Sequence, residues 1–255
     1  MKVVILAGGL GSRLSEETYN KPKPMVEIGG KPILWHILKI YSSYGFNEFI
    51  ICCGYKGSII KEYFYNYFIH NSDFSINIRD NQIENIGDQS EHWKITLIDT
   101  GSNTNTGGRL LRVKKYIDSE YFLFTYGDGL TNVDISKTIE FHKNHKKFAT
   151  LLAVQSPGRF GALKLENGLV LNFNEKPSGD GFSINGGFFV LSREIFKFIK
   201  NDETVWETDV LPVLSKKKEL MAFKHNGFWQ PMDTLRDKIN LETMWNKKNP
   251  PWKVW

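Results

Sequence analysis

No apolar run in this sequence approaches the roughly eighteen residues that a membrane-spanning helix needs. The opening run, Lys2-Val3-Val4-Ile5-Leu6, reaches glycine too soon for the apolar segment of a secretory leader, and no small-residue cleavage site follows. A cytoplasmic location is the expectation. Cysteine is scarce: Cys52 and Cys53 are adjacent in an apolar run. Neighbouring strand residues point to opposite faces, so this pair does not bridge itself and reads as two small core residues. Neither a disulfide framework nor a zinc ligand set is spelled out. His142 and His145, three apart on an expected helix, have no evident third ligand. Repeats, low-complexity tracts and Gly/Ser/Pro-rich linkers are also missing.

Two phosphate-loop signatures are absent as well. After Gly11 the chain reads Ser12-Arg13, where a Walker A loop requires lysine and then serine or threonine. In Gly9-Leu10-Gly11-Ser12-Arg13-Leu14, leucine occupies the third glycine position of the dinucleotide fingerprint. An NAD-dependent oxidoreductase is disfavoured on this ground. It is disfavoured again because about two dozen residues, rather than a tight turn, separate the first strand from the first helix.

What is present suits an ordinary globular enzyme. Hydrophobic residues make up 41% and charged residues 24% of 255 residues, enough for one sizeable core. The net charge of +5 suits an anionic partner. No RNA-binding motif with interleaved aromatics occurs, so phosphorylated small molecules are favoured over nucleic acid.

The pattern is α/β. Lys2–Leu6 reads as a buried strand, Pro32 opens a helix stopped by Gly45, and Phe49–Cys53 is the next strand, together a βαβ unit. Tyr121–Thr125 follows, then a helix capped by Asp134 and running to about His145, then a strand over Ala149–Val154. Leu163–Leu165 and Val170–Phe173 flank Asn167-Gly168 as a hairpin. Gly187–Leu191 is a further strand, followed by a helix near Arg193–Ile199 and a last helix over Leu235–Trp245. The expected fold is a Rossmann-like mixed, mostly parallel central sheet flanked by helices. It forms one domain, with a nucleotide-binding half over about 1–130 and a sugar-phosphate half over about 131–255 that includes the C-terminal helix.

The chemistry concentrates in a few segments. Leu6-Ala7-Gly8-Gly9-Leu10-Gly11-Ser12-Arg13 lets backbone N–H groups approach an anion, and Arg13, Lys21, Lys23 and Lys31 add charge for several phosphates. Lys23 stands between Pro22 and Pro24, and Pro24 should hold it extended. Asp128 lies past the carboxyl end of a strand, where ligands bind in open α/β sheets, and is a Mg²⁺ candidate. Asp233 precedes the last helix as its expected N-cap, with an oxygen still able to face a metal. Thr104-Asn105-Thr106-Gly107-Gly108-Arg109 reads as a second small-residue loop ending in arginine. Glu175-Lys176-Pro177 could reach a phosphate, and Asn185 a sugar hydroxyl. Trp245, Trp252 and Trp255 give the C-terminus an aromatic cluster suited to docking, within or between subunits.

These pieces together resemble the sugar nucleotidyltransferase family. The resemblance rests on Gly8-Gly9-Leu10-Gly11-Ser12-Arg13 and on Lys21-Pro22-Lys23-Pro24-Met25, with Ser12 standing where the family usually has threonine. Longer blocks resemble its cytidylyl-transferring members that act on glucose 1-phosphate: Val26–His36, Phe49–Gly57, Tyr126–Gly129, Gly158–Leu163 and Phe228–Lys238. The likeness is weakest over Asn71–Trp93. It implies transfer of a cytidylyl group from CTP to glucose 1-phosphate, giving CDP-glucose for deoxysugar and surface-polysaccharide synthesis. Catalysis is then assigned to Arg13, Lys23 and Asp128, and Mg²⁺ to Asp128 and Asp233. Nucleotide contacts fall to Leu6 through Arg13, Lys23, Thr104, Arg109 and Gly127. Sugar-phosphate contacts fall to Glu175, Lys176, Asn185 and Gly186. The expected partners are CTP, glucose 1-phosphate and further copies of the chain, with no nucleic acid and no membrane. UTP or dTTP, another sugar phosphate, or a catalytically silent nucleotide-sugar sensor are the alternatives.

Overall fold

Val3–Ala7 (β1) is apolar on both faces, and every one of its side chains is buried. Such a strand can only sit inside a sheet that is covered on two sides. The computed structural model describes residues 1–86, 91–155, 162–166, 169–174 and 183–255. In it β1 is joined by Glu48–Cys53 (β2), Lys94–Asp99 (β3), Tyr121–Tyr126 (β4), Ala149–Gln155 (β5), Ser183–Ser192 (β6) and Leu220–His225 (β7). Their spatial order is β7-β5-β6-β4-β1-β2-β3. β6 runs antiparallel to both neighbours, and the other pairings in this sheet are parallel. The expected mixed, mostly parallel sheet is therefore present.

Parallel neighbours need crossovers, and helices provide them. Ile33–Ser43 (α1) links β1 to β2, and Gly57–Tyr65 (α2) follows β2. Thr106–Arg112 (α3) leads into β4, and Ile135–His145 (α4) lies between β4 and β5. Leu211–Lys216 (α5) precedes β7, and Leu235–Asn246 (α6) comes near the C-terminus. The adjacent cysteines show how the sheet divides the core. Cys53 belongs to the same core as the α1 side chains Ile33, Leu34 and Ile37, whereas Cys52 belongs to a second core with Leu110 and Trp206.

Several expectations held at residue level. Asp134 caps α4, its Oδ1 accepting from the Lys137 N–H at 3.1 Å. Ala162–Glu166 and Leu169–Asn174 pair antiparallel as the expected hairpin, while Asn167 and Gly168 lie outside the described residues. Pro32 does precede α1, and Gly45 follows it with φ 83°.

Others need correction. Residues 106–112 are helical, not loop. Two glycines made a helix improbable by propensity. They are there because α3 packs flush on the chain at 202–204: a Cβ on Gly108 would lie 2.4 Å from the Asp202 carbonyl oxygen, and one on Gly107 2.8 Å from that of Thr204. The N-cap of α6 is Thr234, not Asp233. Thr234 and Asp237 form a reciprocal capping box, which leaves the Asp233 carboxylate free for other work. Lys23 is not extended but opens a 3-10 turn over Lys23–Met25, closed by Met25 N–H to Pro22 O at 2.8 Å; the extended residue is Pro22. The segment Arg193–Phe198 is 3-10 rather than α. Strands β3 and β7, at the two edges of the sheet, went unforeseen because their half-exposed side chains carry no buried-strand pattern.

The tryptophans dock within the chain. Trp252 is fully buried, its indole N–H donates to His36 Nδ1 at 3.3 Å, and Trp245 and Trp255 pack around the same ring.

Candidate active site

The site is built at the carboxyl ends of β1 and β4. After Ala7 the chain turns through Gly8–Gly11, and Gly11 takes φ 65°, which favours glycine; the 3-10 turn Ser12–Leu14 follows. A Cβ on Gly8 would meet the Arg109 guanidinium at 2.3 Å, so any side chain there would push that guanidinium from its place. The turn at Pro22–Val26 then brings Lys23 back beneath the glycine loop.

Asp128 and Asp233 are 105 residues apart in sequence and adjacent in space. The reason is a short antiparallel pair, Gly129–Thr131 with Trp229–Pro231, that aligns Pro231 with Gly129. Met232 N–H also donates to the Asp128 carbonyl at 2.8 Å. Each aspartate thus lies just beyond one end of this ladder. Lys23 Nζ sits between them, 2.6 Å from Asp128 Oδ2 and 2.6 Å from Asp233 Oδ1. Arg13, largely exposed, donates to Asp233 Oδ2 at 2.8 Å. Burial pulls the Lys23 ammonium down, but the two carboxylates outweigh it and hold its pKa above the ordinary 10.5. Two acids and two bases therefore balance one another here.

Two clefts meet at this cluster. The larger, about 680 Å³, is lined by Leu6 through Arg13, Lys23, Ser102 through Thr106, Arg109, Tyr126, Gly127, Asp128 and Glu207. The smaller, about 180 Å³, is lined by Asn185, Gly186, Trp229 and Asp233 among others. Arg13, Tyr126 and Asp128 border both.

Arg13, Lys23, Asp128, Thr104, Arg109, Gly127 and the whole run Leu6–Ser12 thus line the larger cleft, and Asp233, Asn185 and Gly186 the smaller. Arg109 differs from a free cation. Its guanidinium is buried and donates to Thr100 Oγ1 at 2.8 Å, Gly101 O at 2.7 Å, Ser102 O at 3.2 Å and Cys53 O at 3.3 Å. It shapes the 101–104 loop that walls the cleft. Lys21 pairs with Glu27 and Lys31 donates to Asn71, and neither lines either cleft. Glu175 and Lys176, together with Gly158–Gly161, lie outside the described residues. His142 and His145 share the Thr150 hydroxyl, at 2.9 and 2.7 Å. No cluster of three or more metal-binding side chains occurs among the described residues, and none of their helices is long and apolar enough to cross a membrane.

Sequence reasoning missed Glu207. It stands on the helical turn Trp206–Val210, and its carboxylate accepts from the Tyr126 hydroxyl at 2.6 Å and from Thr106 Oγ1 at 2.7 Å. Nothing local distinguishes it, because its partners come from 81 and 101 residues away.

Comparison with known proteins identifies the family and the fold. A family model described as Nucleotidyl transferase matches residues 2–242. The chain is 60% identical, over the full length of both proteins, to a glucose-1-phosphate cytidylyltransferase of Salmonella typhi. It is 46% identical, again over both full lengths, to a probable glucose-1-phosphate cytidylyltransferase of Bacillus subtilis. Among solved structures, HddC from Yersinia pseudotuberculosis, also determined with GMP-PN, superposes with a TM-score of 0.69 at 26% identity, covering 96% of this chain and 99% of that one. By family model and full-length relatives, the chain belongs to the nucleotidyl transferase family.

Proposed function

We propose that the chain transfers the cytidylyl group of CTP to α-D-glucose 1-phosphate, giving CDP-glucose and pyrophosphate. One observation carries this reading: Lys23 bridges Asp128 and Asp233 at 2.6 Å on each side, where a triphosphate-sized cleft opens onto a smaller polar one. The full-length likeness to relatives named for this reaction supports the choice of base and sugar.

The larger cleft takes the nucleotide, with the N–H groups of Gly8 to Gly11 and Arg13 facing its phosphates. The smaller cleft takes the sugar phosphate beside Asn185 and Gly186, with Lys176 and Glu175 assigned to the same substrate. A phosphate oxygen of glucose 1-phosphate forms the new bond to the α-phosphorus. The bond from that phosphorus to the bridging oxygen breaks, and its electron pair leaves with pyrophosphate. The nucleophile is already an anion, so no general base is required; positioning and charge neutralisation lower the barrier. Lys23 and Arg13 supply fixed positive charge at the junction where the leaving charge develops.

The acids fit a divalent cation. Asp128 and Asp233 present hard oxygen donors to one shared cation, the Lys23 ammonium, and Mg²⁺ takes one or two carboxylates with substrate oxygens completing its shell. Mg²⁺ held by Asp128 and Asp233 would neutralise phosphate charge. With both carboxylates so engaged, the Lys23 ammonium would be left to face the phosphates. Self-association of the chain is supported by exposed apolar side chains at Tyr65, Ile69, Ile78 and Ile83.

Pyrophosphate release measured with CTP, UTP, dTTP, ATP and GTP against several sugar 1-phosphates tests the reading. The expected outcome is the highest kcat/KM with CTP and glucose 1-phosphate. Tight CTP binding without turnover would instead favour the silent sensor.

A further inference from the structure

We propose that Glu207 is a positioning residue that sets the orientation of Asn185 in the smaller cleft through the Tyr126 hydroxyl, while it anchors Thr106 at the rim of the larger one. The proposal rests on reading the smaller cleft as the sugar-phosphate site.

A carboxylate only accepts hydrogen bonds, and both oxygens of Glu207 are engaged: Oε1 by the Tyr126 hydroxyl at 2.6 Å and Oε2 by Thr106 Oγ1 at 2.7 Å. The Tyr126 hydroxyl has a single proton, and Glu207 takes it. Toward Asn185 the phenol oxygen can then only accept, and it does so from Asn185 Nδ2 at 3.3 Å. The Asn185 amide is thereby turned with nitrogen to Tyr126 and oxygen to the Gly187 N–H, at 2.9 Å. This leaves the second amide hydrogen of Asn185 to donate within the smaller cleft. On its other side, Thr106 also accepts from Trp206 N–H at 2.9 Å, which locks the first turn of α3 against the same element. Tyr126 borders both clefts, Glu207 the larger and Asn185 the smaller. One carboxylate therefore dictates donor direction on both sides of the wall between them.

Glu207→Gln tests this. Glutamine keeps the size but can turn N–H groups toward Tyr126 and reverse the relay. The expected result is a KM for glucose 1-phosphate raised roughly three- to tenfold, the worth of one misdirected hydrogen bond, with kcat changed less. Tyr126→Phe should raise the same KM by a similar factor. Because the effect travels through the hydroxyl, the double variant should match Tyr126→Phe alone rather than multiply the two effects. A merely structural role would lower thermal stability and kcat and shift the KM values of both substrates together; that pattern, or multiplicative effects in the cycle, overturns the proposal. Asn185→Ala serves as the reference. If it leaves the glucose 1-phosphate KM unaltered, the assignment of the smaller cleft fails, and the proposal with it. If it raises that KM while Glu207→Gln and Tyr126→Phe do not, the proposal alone fails.

Discussion

At the scale of single residues, Lys23 is held from two sides. Its ammonium is buried, which alone would disfavour the charge, yet two carboxylates at 2.6 Å hold it ionised. Replacing it with methionine keeps the volume and removes the charge. Turnover should then fall on the order of a hundred- to a thousandfold, the usual cost of deleting one preorganised charge-stabilising donor. The facing carboxylates would be left without their shared cation. The stability loss should be about 1–3 kcal/mol, below the roughly 3–5 kcal/mol of a fully buried pair, because Asp128 keeps 28% of its side chain exposed. Far-UV circular dichroism with steady-state pyrophosphate release separates the two effects; near-normal turnover in a folded variant would remove Lys23 from the mechanism. At this scale the sequence was readable where residues are close together. Gly8, Gly11, Arg13 and Lys23 share one short segment whose composition already signals anion binding. Arg109 was visible as a cation, but its four hydrogen bonds to the chain were not, since each depends on where β2 and the 100–102 turn come to rest.

At the scale of elements, packing overrides propensity in α3. Alanine at position 108 gains roughly 1 kcal/mol of helix propensity over glycine. Its Cβ would nonetheless lie 2.4 Å from the Asp202 carbonyl oxygen, and backbone cannot give way as a flexible side chain does. Overpacking of this kind costs about 1–3 kcal/mol. Gly108→Ala should therefore destabilise by up to about 2 kcal/mol net, read as a lower denaturant midpoint, whereas an increase in stability would show that the helix can shift away. The capping box of α6 makes a related point. Asp237 and Thr234 satisfy the helix end between them, and so Asp233 faces the site and not its own helix. Sequence alone ranked Asp233 as the cap because the local preference for aspartate is strong; the competing pair was one residue further on.

At the scale of the whole molecule, the C-terminal tail closes over α1 and makes stability depend on pH. His36 is fully buried, with Nε2 against the Ile28 carbonyl at 2.9 Å and Nδ1 accepting from the Trp252 indole. Burial lowers its pKa from 6.5 to about 4. Between those values the unfolded chain binds a proton that the folded chain refuses. Stability from this group is therefore full above pH 6.5 and is lost as pH falls through 4, a change on the order of 3 kcal/mol. His142, lowered to about 4 by burial and by neighbouring His145, acts in the same direction. Denaturant midpoints should decline from pH 7 to pH 4.5, with tryptophan emission reporting release of the tail, and His36→Gln should flatten part of that decline. An unaltered slope in His36→Gln would exclude the buried ring as its source.

Local composition and periodicity by themselves determined the buried parallel strands, the crossover helices at α1 and α4, the hairpin, and the basic glycine loop. Each of these is decided by apolar burial or by backbone geometry within a few residues of chain. Only the tertiary structure decided that Lys23, Asp128 and Asp233 share one point, that Glu207 joins two clefts, and that the tryptophans fold back upon their own chain. These meetings depend on ladder register and helix docking between segments 81 or more residues apart. No pattern in the intervening sequence encodes such distances, because they are set by the packing of the whole sheet.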